Sequence, residues 1–193
     1  VSIYETFRKH KVEDRIVTTT QKSVPLSKAA AVIGGSVGGL FRDTALSAPD
    51  TIALAVGTKR ISYGELNARV NWLADYLAQR GFKRGDRIAI LSENRQEYVE
   101  TILACAKLGL IAACQNWRQV PAELQHALTL ISPACIMVTR RFESLLNDCE
   151  IPEACSVINV DTSYENLLRG CSSAEPMVDV ETEDGLLILY TSG

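Results

Sequence analysis

Residues 85–114, GDRIAILSENRQEYVETILACAKLGLIAAC, decide the fold class of this 193-residue chain. An apolar run, Arg87–Leu91, follows a Gly-Asp turn, and a second apolar run, Leu110–Cys114, follows Gly109. Both runs are apolar enough to be strands that are covered on two faces, which is typical of a parallel sheet. Apolar residues between them recur at helical spacing. The stretch therefore predicts two parallel strands joined by a helix, in the right-handed arrangement that such units adopt.

The helix between these runs is predicted to begin at Asn94, because Asn caps helices well and Glu97 follows three residues later. Gly109 is expected to end it, since glycine readily adopts the left-handed conformation that closes a helix. The buried face is predicted to consist of apolar residues at helical spacing: Tyr98, Ile102, Cys105 and Leu108, or their neighbours.

Apolar runs and amphipathic helical windows continue to alternate after this unit. Pro121 favours a helix start, because proline is well tolerated in the first turn. The pattern predicts strands at residues 134–139, 156–160 and 186–190, and helices at residues 122–131, 142–149 and 164–168. Such alternation requires crossover connections, so we predict an α/β fold with a mostly parallel sheet that is flanked by helices.

Before this unit, the sequence predicts a short antiparallel hairpin near residues 52–62. A tight turn at Gly57-Thr58-Lys59 separates its two strands. Ser62 and Glu65 then match a capping box, in which the hydroxyl and the carboxylate satisfy backbone N–H groups at a helix start. A helix is predicted over residues 63–80.

Residues 1–40 are predicted to form an N-terminal extension, to which the sequence assigns no structure. Its Gly-rich part, Gly34–Gly39, leads into a predicted helix over residues 40–46. Glycines before a helix are also typical of flavin- and nicotinamide-binding proteins, and that function is kept as an alternative. Ser36 stands where the dinucleotide fingerprint needs a glycine, and no strand ends in an acidic residue at the required distance.

The composition argues against several classes of protein. The chain has 20 Lys and Arg against 23 Asp and Glu, without a long basic run, so nucleic acid is not predicted as a partner. No apolar run approaches the ~20 residues that cross a bilayer, so no transmembrane segment is predicted. The six cysteines lack a C-x-x-C pair and the two histidines stand apart. We therefore predict no metal site and a reducing, cytoplasmic location.

The sequence ends in Leu189-Tyr190-Thr191-Ser192-Gly193, an apolar strand that runs into a Thr-Ser-Gly turn. Two hydroxyls and the N–H groups of a glycine-permitted turn suit the anionic oxygens of a phosphate. Thr191, Ser192 and Gly193 are therefore candidate phosphate ligands. Because a domain rarely finishes on an exposed strand, the chain is expected to be the front part of a longer enzyme.

Eight short stretches of the sequence occur in an order that is typical of one protein family. They are FRDTA at 41–45, APD at 48–50, ISYGELN at 61–67, GDRIAIL at 85–91, CAKLG at 105–109, NWR at 116–118, PAEL at 121–124 and LYTSG at 189–193. Together they resemble the adenylate-forming (AMP-binding) superfamily of acyl-CoA synthetases, peptide-synthetase adenylation domains and luciferases. The resemblance implies that residues 41–193 are the N-terminal part of an AMP-binding domain, which breaks off where its phosphate loop begins.

The resemblance further implies an ATP-dependent acyl-CoA synthetase of the fatty-acid or aryl type. In that family a carboxylic acid and ATP, assisted by Mg²⁺, form an acyl adenylate, and the thiol of CoA then displaces AMP. Thr191, Ser192 and Gly193 would contact the ATP phosphates. Arg118 would contact a CoA phosphate, because its planar fork of donors suits phosphate oxygens. The catalytic residues are expected beyond residue 193, so these 193 residues alone are expected to be inactive.

Val120 departs from the family pattern, in which Thr or Ser commonly caps the following helix. The substitution removes a capping hydroxyl, and a local shift around Arg118 is expected.

A non-catalytic interaction module remains a further alternative function of the chain. A homo-oligomer is compatible with each of these interpretations.

Overall fold

Five parallel strands form the main sheet in the computed structural model of the chain, which describes residues 35–190. The first half contains α1 (Val37–Ser47), β1 (Ile52–Val56), β2 (Lys59–Ser62), α2 (Tyr63–Gln79), β3 (Arg87–Leu91) and α3 (Gln96–Leu108). The second half contains β4 (Ile111–Cys114), α4 (Pro121–Ile131), β5 (Cys135–Val138), a 3₁₀ helix (Glu143–Asp148), β6 (Ser156–Asn159), α5 (Val160–Leu167) and β7 (Leu187–Leu189).

The strand order in the main sheet is β6-β5-β3-β4-β7, and every pair is parallel. The two strands of the opening stretch, β3 and β4, are neighbours, and Ile88 lies opposite Ala112. A separate antiparallel hairpin joins β1 and β2, with Val56 opposite Lys59 across the turn at Gly57. The predicted fold class and the hairpin are both confirmed.

Two hydrophobic layers cover the main sheet. On one face, α1, α2, α3 and α5 pack over Ile88 and Ile90 of β3. On the opposite face, α4 and the 3₁₀ helix pack over Ala89 and Leu91. All four of these β3 side chains are buried, as expected for a strand that is covered on both faces. Burial of each large aliphatic side chain contributes about 1.5–3 kcal/mol to stability.

The capping box at the start of α2 is formed as the sequence predicts. Ser62 Oγ accepts from the backbone N–H of Glu65 at 3.2 Å, and the Glu65 carboxylate accepts from the N–H of Ser62 at 2.8 Å. Gly81, with φ of 83°, follows the helix in the left-handed conformation.

The predicted N-cap of α3 is wrong, and its predicted buried face is confirmed in part. The N-cap is Arg95 in extended conformation, without a side-chain cap, and its guanidinium binds the Glu97 carboxylate that was expected to complete the cap at Asn94. Cys105 and Leu108 are buried as predicted, whereas Tyr98 and Ile102 are only partly buried. The buried face also contains polar residues: Gln96, Glu100, Thr101 and Lys107. Thr101 donates to the carbonyl of Glu97 in the same helix, and the other three find partners on distant parts of the chain.

Three other element boundaries differ from the sequence prediction. The helix α1 begins at Val37 rather than at residue 40, because Ser36 Oγ accepts from the N–H of Gly39 and caps it. The helix expected at residues 142–149 is a 3₁₀ helix. The last helix, α5, begins four residues earlier than predicted, at Val160, because Asn159 caps it.

A buried lysine fastens the long connection between α5 and β7 to the helical layer. Lys107 Nζ donates to Glu175 Oε2 at 2.6 Å and to the side-chain carbonyls of Asn67 and Asn71, each at 2.7 Å. The second oxygen of Glu175 accepts from both asparagine amides. Every donor of the ammonium group is therefore used. We call Lys107, Glu175, Asn67 and Asn71 the lysine network.

Gly38 allows α1 to approach the backbone of α3. A Cβ atom at this position would lie 2.6 Å from the carbonyl oxygen of Ala106 and 2.9 Å from the nitrogen of Lys107. Such distances are sterically forbidden, and backbone atoms cannot move aside as a flexible side chain can. The glycine therefore sets the distance between the two helices.

Replacing Gly38 with Ala is expected to lower the free energy of unfolding by about 1–3 kcal/mol, the usual cost of overpacking. Gly39→Ala is the matched control, because its Cβ would meet only Ser36 Oγ, at 3.4 Å, and alanine favours helix by ~1 kcal/mol. The midpoints of denaturant unfolding of the two full-length variants provide the measurement. Equal losses in both variants would contradict the steric explanation.

Within residues 35–190, none of the helices has the length and apolar character that crossing a membrane requires.

Candidate functional site

The carboxyl ends of the parallel strands bring several loops to one edge of the sheet. The chain leaves β3 through Ser92–Arg95, β4 through Gln115–Arg118, and β5 through Thr139–Phe142. β7 reaches the same edge at Tyr190. In open parallel sheets this edge is where ligands bind, since the loops that follow the strands converge there. We call it the carboxyl edge.

An aromatic pair with two arginines lies at the carboxyl edge. The rings of Trp117 and Phe142 are stacked, with centroids 5.3 Å apart and an interplanar angle of 21°. The guanidinium of Arg118 lies 4.7 Å from the Trp117 centroid, and that of Arg141 lies 5.5 Å from it. Arg141 also lies 5.2 Å from the Phe142 centroid. We call these four residues the Arg–Trp cluster.

Three of the arginines at this edge have no carboxylate partner within residues 35–190. No ion pair within residues 35–190 includes Arg118, Arg140 or Arg141, and all three are exposed. Stacking on Trp117 limits the freedom of the two cluster guanidiniums while leaving their N–H donors available. Such an arrangement suits the bidentate binding of phosphate oxygens.

The loops that carry the cluster are tied to the sheet. Thr139, which is buried, donates from Oγ1 to Glu93 Oε2 at 3.0 Å, and its backbone N–H donates to the carbonyl of Leu91. The N–H of Arg118 donates to Asn116 Oδ1 at 3.0 Å, which turns the chain after β4. The cluster is therefore held by the loops after β4 and β5, the two strands that flank β3 in the sheet.

An open groove of about 570 Å³ lies beside the cluster, between α4 and the end of β7. It is lined by Asn116, Gln119, Ala122, Glu123, His126, Ala127, Leu130 and Tyr190. The Tyr190 hydroxyl donates to the carbonyl of Ala127 at 3.2 Å and fixes the end of β7 against α4. The groove thus adjoins the point where the predicted phosphate ligands would follow.

The structure places one of the predicted site residues at the carboxyl edge and leaves the others outside its description. Arg118 lies in the Arg–Trp cluster. Thr191, Ser192 and Gly193 lie outside the described residues, although β7, which leads to them, ends at this edge. Arg141 and Trp117 were not predicted as site residues. The only sequence signal for Arg141 was the pair Arg140-Arg141 directly after a predicted strand.

Val120 caps α4 without a side-chain hydrogen bond, as expected from the missing hydroxyl. Glu123 Oε2 accepts from the N–H of Val120 at 3.2 Å, so the carboxylate half of a capping box is retained. This contact holds the helix start next to Arg118 despite the substitution.

The described part of the chain contains neither a cluster of metal ligands nor a disulfide. Within residues 35–190, no three His, Cys, Asp or Glu side chains come together as a metal site. The six cysteines all lie in this part and are free thiols. Burial raises the pKa of the Cys135 thiol to about 12, which makes it unreactive.

The connectivity around the Gly-rich segment argues against a flavin or nicotinamide site. Gly38 and Gly39 lie in the first turn of α1, and Gly34 lies outside the described residues. The strand that follows α1 pairs antiparallel in the separate hairpin, whereas a dinucleotide fold needs a parallel strand there. The contact of Gly38 with α3 explains one of these glycines without a ligand.

Comparisons with known proteins agree with this architecture. A medium/long-chain fatty-acid and 3-oxocholest-4-en-26-oate CoA ligase of Mycolicibacterium smegmatis is 28% identical over 158 residues, 75% of this chain and 29% of that protein. FadD10 of Mycobacterium tuberculosis, a medium/long-chain fatty-acid and acyl-carrier-protein ligase, is 34% identical over 155 residues, 75% of this chain and 28% of that protein. The chain thus spans less than a third of the length of these curated relatives.

The crystal structure of the N-terminal domain of FACL13 from Mycobacterium tuberculosis superposes with a TM-score of 0.75. Its sequence is 27% identical, and the match covers 82% of this chain and 42% of that one. The α/β architecture is therefore that of the N-terminal domain of adenylate-forming enzymes. The sequence profile of the AMP-binding enzymes matches residues 41–193, and the chain accordingly belongs to the AMP-binding enzyme family.

Proposed function

We propose that this chain is the N-terminal part of an ATP-dependent acyl-CoA synthetase. The Arg–Trp cluster carries the proposal. Its two stacked arginines have no carboxylate partner among residues 35–190, and they lie beside the strand that leads to Thr191. The membership of the family and the ligase relatives support it.

The reaction consists of two displacements. In the first, an oxygen of a carboxylate attacks the α-phosphate of ATP, the bond to the β-phosphate breaks, and pyrophosphate leaves. In the second, the CoA thiol loses its proton and attacks the acyl carbon, and AMP leaves. Both steps build up negative charge on phosphate oxygens, so cationic groups and N–H donors stabilise them.

The residues of this chain would bind and orient the substrates. The hydroxyls and N–H groups of Thr191, Ser192 and Gly193 would hold ATP phosphates. Arg118 and Arg141 would hold phosphates of the CoA nucleotide, which suits their exposed donors. Mg²⁺ supplies charge neutralisation on the phosphates when it accompanies ATP. Within residues 35–190, no three His, Cys, Asp or Glu side chains come together as ligands for it.

The 193 residues alone are proposed to be inactive, because they cover less than a third of the curated ligases that they match. We also propose a cytoplasmic location, since six free cysteines fit a reducing compartment. A fatty or related carboxylic acid is the proposed substrate class, by analogy with the relatives.

A carrier protein is a second candidate for the thiol acceptor. The FadD10 relative, at 34% identity, is named a ligase for acyl-carrier protein. The phosphopantetheine thiol of a carrier protein would attack the same acyl carbon, but it brings no adenosine nucleotide. The arginines therefore favour CoA.

The test uses the full-length protein with a panel of fatty, sterol-derived and aromatic carboxylic acids. Acid-dependent exchange of labelled pyrophosphate into ATP is the expected result for the first step. Mass spectrometry of the products with CoA or with holo-carrier protein identifies the acceptor, and a CoA thioester is expected. Absence of exchange with every acid, or purification with bound flavin, would contradict the proposal.

A further inference from the structure

We propose that Asp161 is a positioning residue, which holds the segment Arg140–Arg141 so that Arg141 stays beside Trp117 for the phosphate-binding role. The inference rests on the proposed function, in which the Arg–Trp cluster binds the CoA nucleotide. Asp161 touches neither the cluster nor any expected ligand, so its effect would pass through the loop after β5.

The Asp161 carboxylate bridges the loops after two neighbouring strands. Its Oδ1 accepts from Arg95 Nη1 at 2.7 Å, and its Oδ2 accepts from the backbone N–H of Arg140 at 2.7 Å. Arg95 follows β3, Arg140 follows β5, and Asp161 itself lies in the first turn of α5. One side chain thereby connects three loops of the carboxyl edge, at the residue directly before Arg141.

Asp161 forms its ion pair with Arg95, whereas Arg140 donates to it only through the backbone N–H. Arg95 divides its guanidinium between Glu97, at 2.6 Å, and Asp161. The side chains of Arg140 and Arg141 therefore remain without a carboxylate partner among the described residues. The hydrogen bond from Arg95, followed by that from the Arg140 N–H, lowers the pKa of the Asp161 carboxyl, which stays ionised at neutral pH.

A second contact anchors the same segment from the other side. Asn159 Nδ2 donates to Glu143 Oε2 at 2.9 Å, and Glu143 directly follows Phe142 of the cluster. Residues at the junction of β6 and α5 thus bind the loop after β5 at two points, at Arg140 before Arg141 and at Glu143 after it. The conformational entropy that an arginine loses on binding a phosphate opposes binding. An arginine whose backbone is already fixed loses less of it and therefore binds more tightly.

The bridge is not required for the formation of α5. Asn159 Oδ1 already caps the helix by accepting from the N–H groups of Asp161 and Thr162. Tyr164, which is 1% exposed, anchors the helix in the core. The Arg95–Asp161 pair is partly exposed, and such pairs contribute little to global stability. Loss of the carboxylate should therefore affect ligand binding more than folding.

The experiment compares Asp161→Asn and Asp161→Ala in the full-length enzyme. We expect the KM for CoA to rise about tenfold in Asp161→Ala, because the loop after β5 loses one hydrogen bond that positions it. The rise should be smaller in Asp161→Asn. The rate of ATP–pyrophosphate exchange and the KM for ATP should stay within about twofold of wild type. Glu165→Gln is the matched control, because Glu165 lies on the same helix and pairs with Arg69 away from the edge.

A double variant separates positioning from a general structural effect. If Asp161 acts through Arg141, Asp161→Ala should add nothing to the KM for CoA in an Arg141→Ala background. Equal rises in the KM for ATP and CoA, together with a lower Tm, would overturn the inference. The inference would also be overturned if the KM for CoA were unchanged in the Asp161 variants while Arg118→Ala and Arg141→Ala raise it. If the arginine variants also leave that KM unchanged, the proposed CoA site itself is wrong, and the inference falls with it.

Discussion

Replacing Lys107 with Met is expected to lower the free energy of unfolding by about 3 kcal/mol, near the lower end of the range for breaking a buried ion pair. The Lys107 side chain is 3% exposed and its ammonium group donates three hydrogen bonds, whereas the Glu175 side chain is 30% exposed and can recover some hydration. The variant leaves two asparagine carbonyls and a carboxylate without their common donor. The connection between α5 and β7 should then open more often.

Hydrogen exchange of residues 171–186 measures this opening, because the lysine network is a main attachment of that connection. Lys83→Met is the control, since Lys83 is exposed and its ammonium group makes no ion pair within residues 35–190. The double variant Lys107→Met/Glu175→Gln should cost less than the sum of the two single variants, because it removes both charges together. Additive losses would show that the two residues do not act as a pair.

Acidification should weaken the lysine network, as the replacement of Lys107 does. Burial raises the pKa of the Glu175 carboxyl, but hydrogen bonds from Lys107, Asn67 and Asn71 outweigh it, so the pKa lies below its ordinary value. A carboxyl with a lowered pKa stabilises the fold above its unfolded pKa and loses this contribution as the pH falls through the folded one. The difference in stability between wild type and Glu175→Gln should therefore shrink from pH 7 to about pH 3.

Removing both arginines of the Arg–Trp cluster is expected to have the largest effect on CoA use. Arg118→Ala and Arg141→Ala should each raise the KM for CoA by about 10–100-fold, since a hydrogen bond to a charged group contributes about 1.5–3 kcal/mol. The KM for ATP and the rate of pyrophosphate exchange should change little. Arg169→Ala is the control, because Arg169 is exposed and lies after α5, away from the carboxyl edge.

Dephospho-CoA shows which phosphate the arginines bind. If they hold the 3′-phosphate, the wild-type enzyme should prefer CoA over dephospho-CoA, and the double variant should lose that preference. Arg118→Lys should restore only part of it, because an ammonium group lacks the planar fork of donors. An unchanged KM for CoA in the double variant would contradict the assignment of the cluster.

The elements of the fold that depend on local pattern could be predicted from the sequence. The apolar run Arg87–Leu91 identified a strand that is buried on both faces, and Ser62 with Glu65 identified a helix start. The order of the strands had no local signal, since β5 lies next to β3 and not next to β4, which precedes it. Chain order alone does not determine on which side of a sheet a strand is added.

The polar residues of α3 show a second limit of sequence analysis. Glu100 and Lys107 were not predicted to be buried, because charged side chains are buried only when partners satisfy them. Those partners, Tyr164 and Glu175, lie far along the chain. At the site, the resemblance pointed to Arg118, but Arg141 joins it through tertiary contacts with Trp117 and Phe142 that have no local signal.

The position of β7 has a consequence for the order in which the chain folds. This strand has three residues, pairs only with β4 among the described strands, and is separated from it by α4, β5, β6 and α5. Closing so long a segment costs chain entropy before any pairing compensates for it. We therefore expect β7 to be the last strand of the sheet to join during folding. The predicted phosphate ligands would come into place only at the end of that process, when the rest of the carboxyl edge has already formed.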